Sequence, residues 1–99
     1  MYQTLCEAIR ARSVLRLSMR NGECRVVEPH RYGARSNGKE VLNVFQRAAA
    51  GAEQLPMALK SVAVSEIESA TATGETFTSP RPGYNPAGDQ RIPAVFAEL

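Results

Sequence analysis

The chain has 99 residues, of which 43% are hydrophobic and 22% charged. That is the composition of one small globular domain, not of a disordered, fibrous or membrane protein. A core of this size buries about two-thirds of the surface that the unfolded chain exposes, so a large lid or a second cofactor domain is excluded. The net charge of +2 is far short of a basic nucleic-acid tail, and no apolar run reaches the roughly 18 residues of a spanning helix. The opening MYQTLCEAIRARS lacks the basic-then-apolar pattern of a secretory signal, so a cytoplasmic location is expected, with Cys6 and Cys24 as free thiols.

Tyr2, Leu5, Cys6 and Ile9 fall at i, i+3, i+4 and i+7, the stripe of a short amphipathic helix. Thr4 and Glu7 have capping-box spacing at its start, and Arg10 and Arg12 suit its C-terminal dipole. From Val14 the period becomes two: Leu15, Leu17 and Met19 alternate with Arg16, Ser18 and Arg20 up to the turn pair Asn21-Gly22, which predicts a hairpin. The return strand is expected over Cys24 to His30, followed by Tyr32-Gly33 and a second turn at Asn37-Gly38. Val41 to Arg47 reads as the next strand, and residues 48–56 read as the longest loop. Leu59, Val62, Val64 and Ile67 predict one or two more strands, ending near Phe77.

The segment 80–89 holds three prolines and two glycines and predicts an extended, wrapping tail, with Tyr84 as its anchor. Ile92, Val95, Phe96 and Leu99 repeat the helical stripe, with Pro93 acceptable in the first turn. The expectation is therefore a single domain over 1–99, mainly β with terminal helices. Its centre is a small closed or strongly bent barrel of about five strands over 14–77, and its tail ends in a short C-terminal helix.

Chemistry is sparse. His30 is the only histidine, and six residues of strand place Cys24 roughly 20 Å from it, too far for a dyad. Cys6, Cys24 and His30 lack zinc-ligand spacing, and no phosphate loop, dinucleotide fingerprint or nucleophile elbow is present. Glu66 and Glu68 read as a solvated pair. No cofactor, metal or enzymatic activity is expected. The strongest polar signal is the arginine bias: residues 1–35 carry seven arginines against three glutamates. Neighbouring strands can gather Arg16, Arg20, Arg25, Arg31 and Arg35 into a cationic face for phosphate, with Tyr32 beside Arg31 to stack a base; a dispersed, solvated face is the alternative.

The run RVVEPHRYG at 25–33, followed by NGKEVLNVFQ at 37–46, resembles the WYL domain family. The opening AIRARSVLRLSM at 8–19 looks like that family's short helix and first strand, and KSVAVSEI at 60–67 is similar to its later motif. The chain departs at the three positions that name the family, where Glu40, Val41 and Leu42 stand and only the leucine is kept. Lys60 and Glu66 replace arginines in the later motif, which implies a weaker cationic pocket. The resemblance implies an SH3-like, Sm-like barrel serving as a sensing or regulatory module, as in bacterial regulators in which it follows a DNA-binding domain. It implies a ligand site built on Arg25, His30 and Arg31, with Arg47 and Lys60 as partners. The expected ligand is negatively charged, a nucleotide or single-stranded nucleic acid. A docking adaptor or self-associating barrel is the second expectation, and a small enzyme using His30 and Cys6 the third.

Overall fold

The computed structural model describes residues 1–49, 58–85 and 88–99. Helix α1, Tyr2–Ala11, buries Leu5, Cys6, Ala8 and Ile9, the face that the apolar spacing requires. Met1 takes the cap position without a side-chain hydrogen bond, so Thr4 and Glu7 form no capping box. Arg12 ends the helix in the left-handed region at φ 54°, and its side chain reaches the Thr78 carbonyl instead of the helix terminus.

Strand β1, Ser13–Met19, buries Leu15, Leu17 and Met19 and exposes Arg16. It turns at Asn21-Gly22, where Gly22 sits at φ +91°, into β2, Cys24–Ala34. The expected return strand is thus longer than its apolar signal, running through Tyr32 and Gly33. Strand β3, Glu40–Ala49, β4, Ala58–Ala63, and β5, Ile67–Thr76, follow, with a 3-10 turn at Val64–Glu66 between the last two. The long loop expected at 48–56 lies mostly outside the described residues; its first two residues belong to β3.

The C-terminal helix is not formed. Ala94–Glu98 is a strand, β6, paired antiparallel with β2. Over five to eight residues the spacing Ile92, Val95, Phe96 and Leu99 does not distinguish a helix from a strand, and the open edge of β2 decides. The pairing of β1 with β2 spans Leu15↔Val27 to Ser18↔Cys24, leaving the second half of β2 without a neighbour on that side. Strand β6 fills the gap, from Arg31↔Glu98 to Ala34↔Ala94. Gly33 permits it, since a Cβ there would stand 2.2 Å from the Ala94 carbonyl oxygen.

The result is a six-stranded antiparallel sheet in the order β4-β3-β2-β1-β5, with β6 beside β2. Among the described residues no pairing joins β4 to β5, so the sheet is not closed. Helix α1 lies against β1, β2, β5 and β6. No helix among the described residues is long and apolar enough to cross a membrane.

Strand β2 is buried continuously from Val27 to Ala34, which one-sided packing cannot produce. Val27 and Tyr32 belong to the main core, whereas Glu28, His30 and Arg31 bond to the C-terminal segment. The register of β2 on β3 slips between Pro29 and Arg31. That irregularity puts Glu28, His30 and Arg31 on the side of the C-terminal segment despite their uneven spacing.

Candidate ligand groove

The polar residues of β2 build a clip for the segment after β5. The Glu28 carboxylate, fully buried, accepts both prongs of the Arg81 guanidinium at 2.9 and 2.8 Å. It also accepts Arg47 Nε at 2.7 Å, and the other end of Arg47 reaches Glu75 at 2.6 Å. The hydrogen bond from Arg81 leads in holding the Glu28 carboxyl below the ordinary carboxylate range, against the opposing effect of burial. Arg81 also lies over the Phe45 ring at 4.4 Å, which covers that aromatic face.

His30 is fully buried, and its Nε2 accepts the Arg81 backbone N–H at 3.0 Å. Its proton therefore sits on Nδ1, which donates to the Glu28 carbonyl at 2.8 Å. The ring stacks on Phe77, with centroids 5.4 Å apart, and meets the edge of Tyr84. Burial lowers its pKa, so it is a neutral structural link with both nitrogens engaged. Cys6 is buried on α1, and the partners of both His30 nitrogens are backbone groups of Glu28 and Arg81.

Arg31 is 1% exposed. Its Nε donates to Glu98 at 2.9 Å, one terminal nitrogen donates to the Asn85 carbonyl at 2.8 Å and the Tyr84 hydroxyl at 3.2 Å, and the guanidinium lies 4.8 Å from the Tyr84 ring centre. Tyr84 is thus the tail anchor that the sequence suggested.

Behind this clip opens a cavity of about 680 Å3 between β3, β4 and the C-terminal segment, with Arg31, Asn43, Lys60, Tyr84, Asp89 and Arg91 among its lining residues. No hydrogen bond or ion pair joins Lys60 to another described residue, and its half-buried side chain is the groove's uncommitted cation. Arg91 is largely exposed and paired with Asp89 at 3.1 Å, which depresses the Asp89 pKa. Asn43 Nδ2 reaches the same carboxylate at 3.4 Å, and Asn43 Oδ1 accepts the Ser61 hydroxyl at 2.7 Å. The groove therefore offers cations, amides and hydroxyls on strand scaffolds. A second cavity, about 760 Å3, lies across Ser61 beside Arg35, Lys39, Glu40 and Glu66.

Of the six expected ligand residues, the structure brings only Arg31 and Lys60 into this groove. His30 and Arg47 belong to the clip. Arg25 lies near the start of β2, paired with Glu23 at 2.9 Å. Tyr32 is a core residue packed on Tyr2 and Phe96, with its hydroxyl donating to Glu40; burial pushes its pKa upward. Nor does the arginine series converge: Arg20 donates to the Ser65 carbonyl at 2.8 Å, and Arg16 and Arg35 are exposed and unpaired among the described residues. Glu28, Asn43, Arg81, Asp89 and Arg91 were not singled out by the sequence reading. Only the position of Arg81 between two prolines hinted that a held residue lies there.

No protein-family model, curated protein or solved structure matches the chain.

Proposed function

We propose that the protein is a non-enzymatic sensing or regulatory module that binds a negatively charged ligand, a nucleotide or single-stranded nucleic acid, in the groove between β4 and the C-terminal segment. The observation that carries this reading is Lys60, half-buried and unpaired among the described residues, which lines with the buried Arg31 a cavity large enough for a small ligand. The order β4-β3-β2-β1-β5, with β2 shared between β1 and β6, supports an SH3-like or Sm-like strongly bent sheet as the scaffold. The motif resemblance to the WYL family supports the same assignment. The test is fluorescence anisotropy of labelled mononucleotide and short single-stranded DNA and RNA at two salt concentrations, each with the native chain and with Lys60→Ala. Binding that weakens with salt and falls several-fold in Lys60→Ala is the expected result. No binding of any probe at the lower salt refutes the reading.

A second reading, a self-associating or docking module, is favoured by one observation: among the described residues, the outer edges of β4 and β5 have no strand partner. Light scattering over a concentration series tests self-association, and a constant monomer mass counts against it.

A further inference from the structure

We infer that the groove takes a compact ligand bearing one anionic group on a small organic body, and that it does not track a polynucleotide; this rests on the groove reading above. Binding along a single strand needs cations in series and exposed aromatic faces on which bases stack. The structure accounts for both sets of side chains. Residues 50–57 and 86–87 include no Lys, Arg, Phe or Tyr, so every cation and every aromatic ring belongs to the described part.

The aromatic rings are spent elsewhere. Tyr32 and Phe77 are buried, Phe45 lies under the Arg81 guanidinium, Phe96 packs on Tyr2 and Tyr32, and Tyr84 carries Arg31 on its ring with His30 at its side. Tyr2 is exposed, but it sits on α1 and not at the groove. Most of the cations are committed too, and Arg10, Arg16 and Arg35, exposed and unpaired among the described residues, do not line the groove. Arg25, Arg47, Arg81 and Arg91 each hold a carboxylate, and Arg31 holds Glu98. Arg12 and Arg20 donate to backbone carbonyls. Arg35 and Lys39 line the neighbouring cavity, but Glu40 and Glu66 line it with them.

That cavity, which shares Ser61 with the groove, therefore adds no net positive charge beside it, two cations standing against two carboxylates. Arg31 and Arg91, which also line the groove, are already paired with Glu98 and Asp89, so Lys60 is the cation left to satisfy one phosphate among the described residues, and a second and third phosphate find no unpaired cation there. The Asn43 amide and the Ser61 hydroxyl, held by each other and by Asp89, line the wall against which the neutral body of the ligand would lie.

The experiment is a titration of the whole chain with thymidine, thymidine 5′-monophosphate, and thymidine oligomers of four and twelve nucleotides. It is read by calorimetry and by the backbone amide shifts of Lys60, Ser61 and Gln90. The expected result is that the monophosphate and both oligomers bind within about threefold of one another, that thymidine binds at least about tenfold more weakly, and that the log-log salt slope stays near the ~0.7 of a single neutralised phosphate. Lys60→Ala weakens the monophosphate at least about fivefold while leaving the amide spectrum of β1 and β2 in place. If affinity and salt slope climb with oligomer length, by tenfold or more from one to twelve nucleotides, the compact-ligand inference is overturned and the groove reading survives. If none of the four shifts the groove amides, both are overturned.

Discussion

Replacing Gly33 with alanine probes the junction on which the C-terminal segment depends. Gly33 does not have a positive φ, so alanine brings no backbone strain and the whole effect comes from contact. The added Cβ would lie 2.2 Å from the Ala94 carbonyl oxygen and 2.4 Å from Cγ2 of Ile92, a buried side chain. Comfortable contact starts near 3.5 Å, so β6 must retreat by roughly 1 Å. A shift of that size stretches ladder hydrogen bonds from about 2.9 Å to nearly 4 Å, beyond bonding range. Two ladder bonds at roughly 1 kcal/mol each, and about 1 kcal/mol for displacing Ile92, are offset by about 0.5–1 kcal/mol of reduced unfolded-state entropy. The net loss is about 2–2.5 kcal/mol, a fall in Tm of roughly 8–20 °C for a domain of this size. Urea unfolding measures the loss, and hydrogen exchange should show lowered protection of the amides of residues 94–98. A variant within about 0.5 kcal/mol of the native chain, with that protection unchanged, would refute the assigned β2–β6 register.

Glu28→Gln removes the charge that Arg47 and Arg81 share. Because those arginines are 29% and 40% exposed and can turn to water, the expected cost is about 2 kcal/mol, less than for a fully enclosed pair; an unchanged urea midpoint would contradict the clip. His30 is neutral in the folded chain and its pKa lies below the ordinary 6.5. As pH falls through 6.5 the unfolded chain therefore takes up a proton first, and this stability is lost progressively down to the folded value; Glu28 and Asp89, with lowered values, add a second loss at more acidic pH. Urea midpoints between about pH 7.5 and pH 5.5 should fall in the native chain and stay flatter in His30→Asn, and equal slopes would show that His30 is not the group responsible. Gln46 is buried, with Oε1 unpaired among the described residues, so Gln46→Met should raise stability by about 1 kcal/mol in the same assay, whereas destabilisation would mean that the amide is satisfied in solution.

Local pattern carried the parts of the fold that local physics controls. The stripe Leu5, Cys6 and Ile9 and the alternation Leu15, Leu17 and Met19 meet the core as their periods require, because one buried face suffices to specify a helix or a strand. The turn pairs Asn21-Gly22 and Asn37-Gly38 were legible for the same reason: both glycines sit at positive φ, which other residues resist.

The site was less legible. The arginine bias and the motif drew attention to Arg31 and Lys60, which do meet in the groove, but equally to Arg25, Arg47 and Tyr32, which do not. Composition counts cations without counting their partners. Glu23 takes up Arg25 and Glu28 takes up Arg47 and Arg81, and of these partners only Glu23 is a near neighbour in sequence.

What the sequence determined by itself is a mainly β fold entered through an amphipathic helix, with its hairpins placed by turn chemistry. Only the tertiary structure decided that residues 94–98 form a strand, that Glu28 and His30 hold the C-terminal segment, and that Lys60 has no side-chain partner among the described residues. Each of those outcomes depends on an unfilled hydrogen-bonding edge or a charge brought from 50 or more residues away, such as Arg81 to Glu28 and Glu98 to Arg31. Contacts at that separation leave no periodic trace along the chain, because they are set by which surfaces remain open once the local elements have packed.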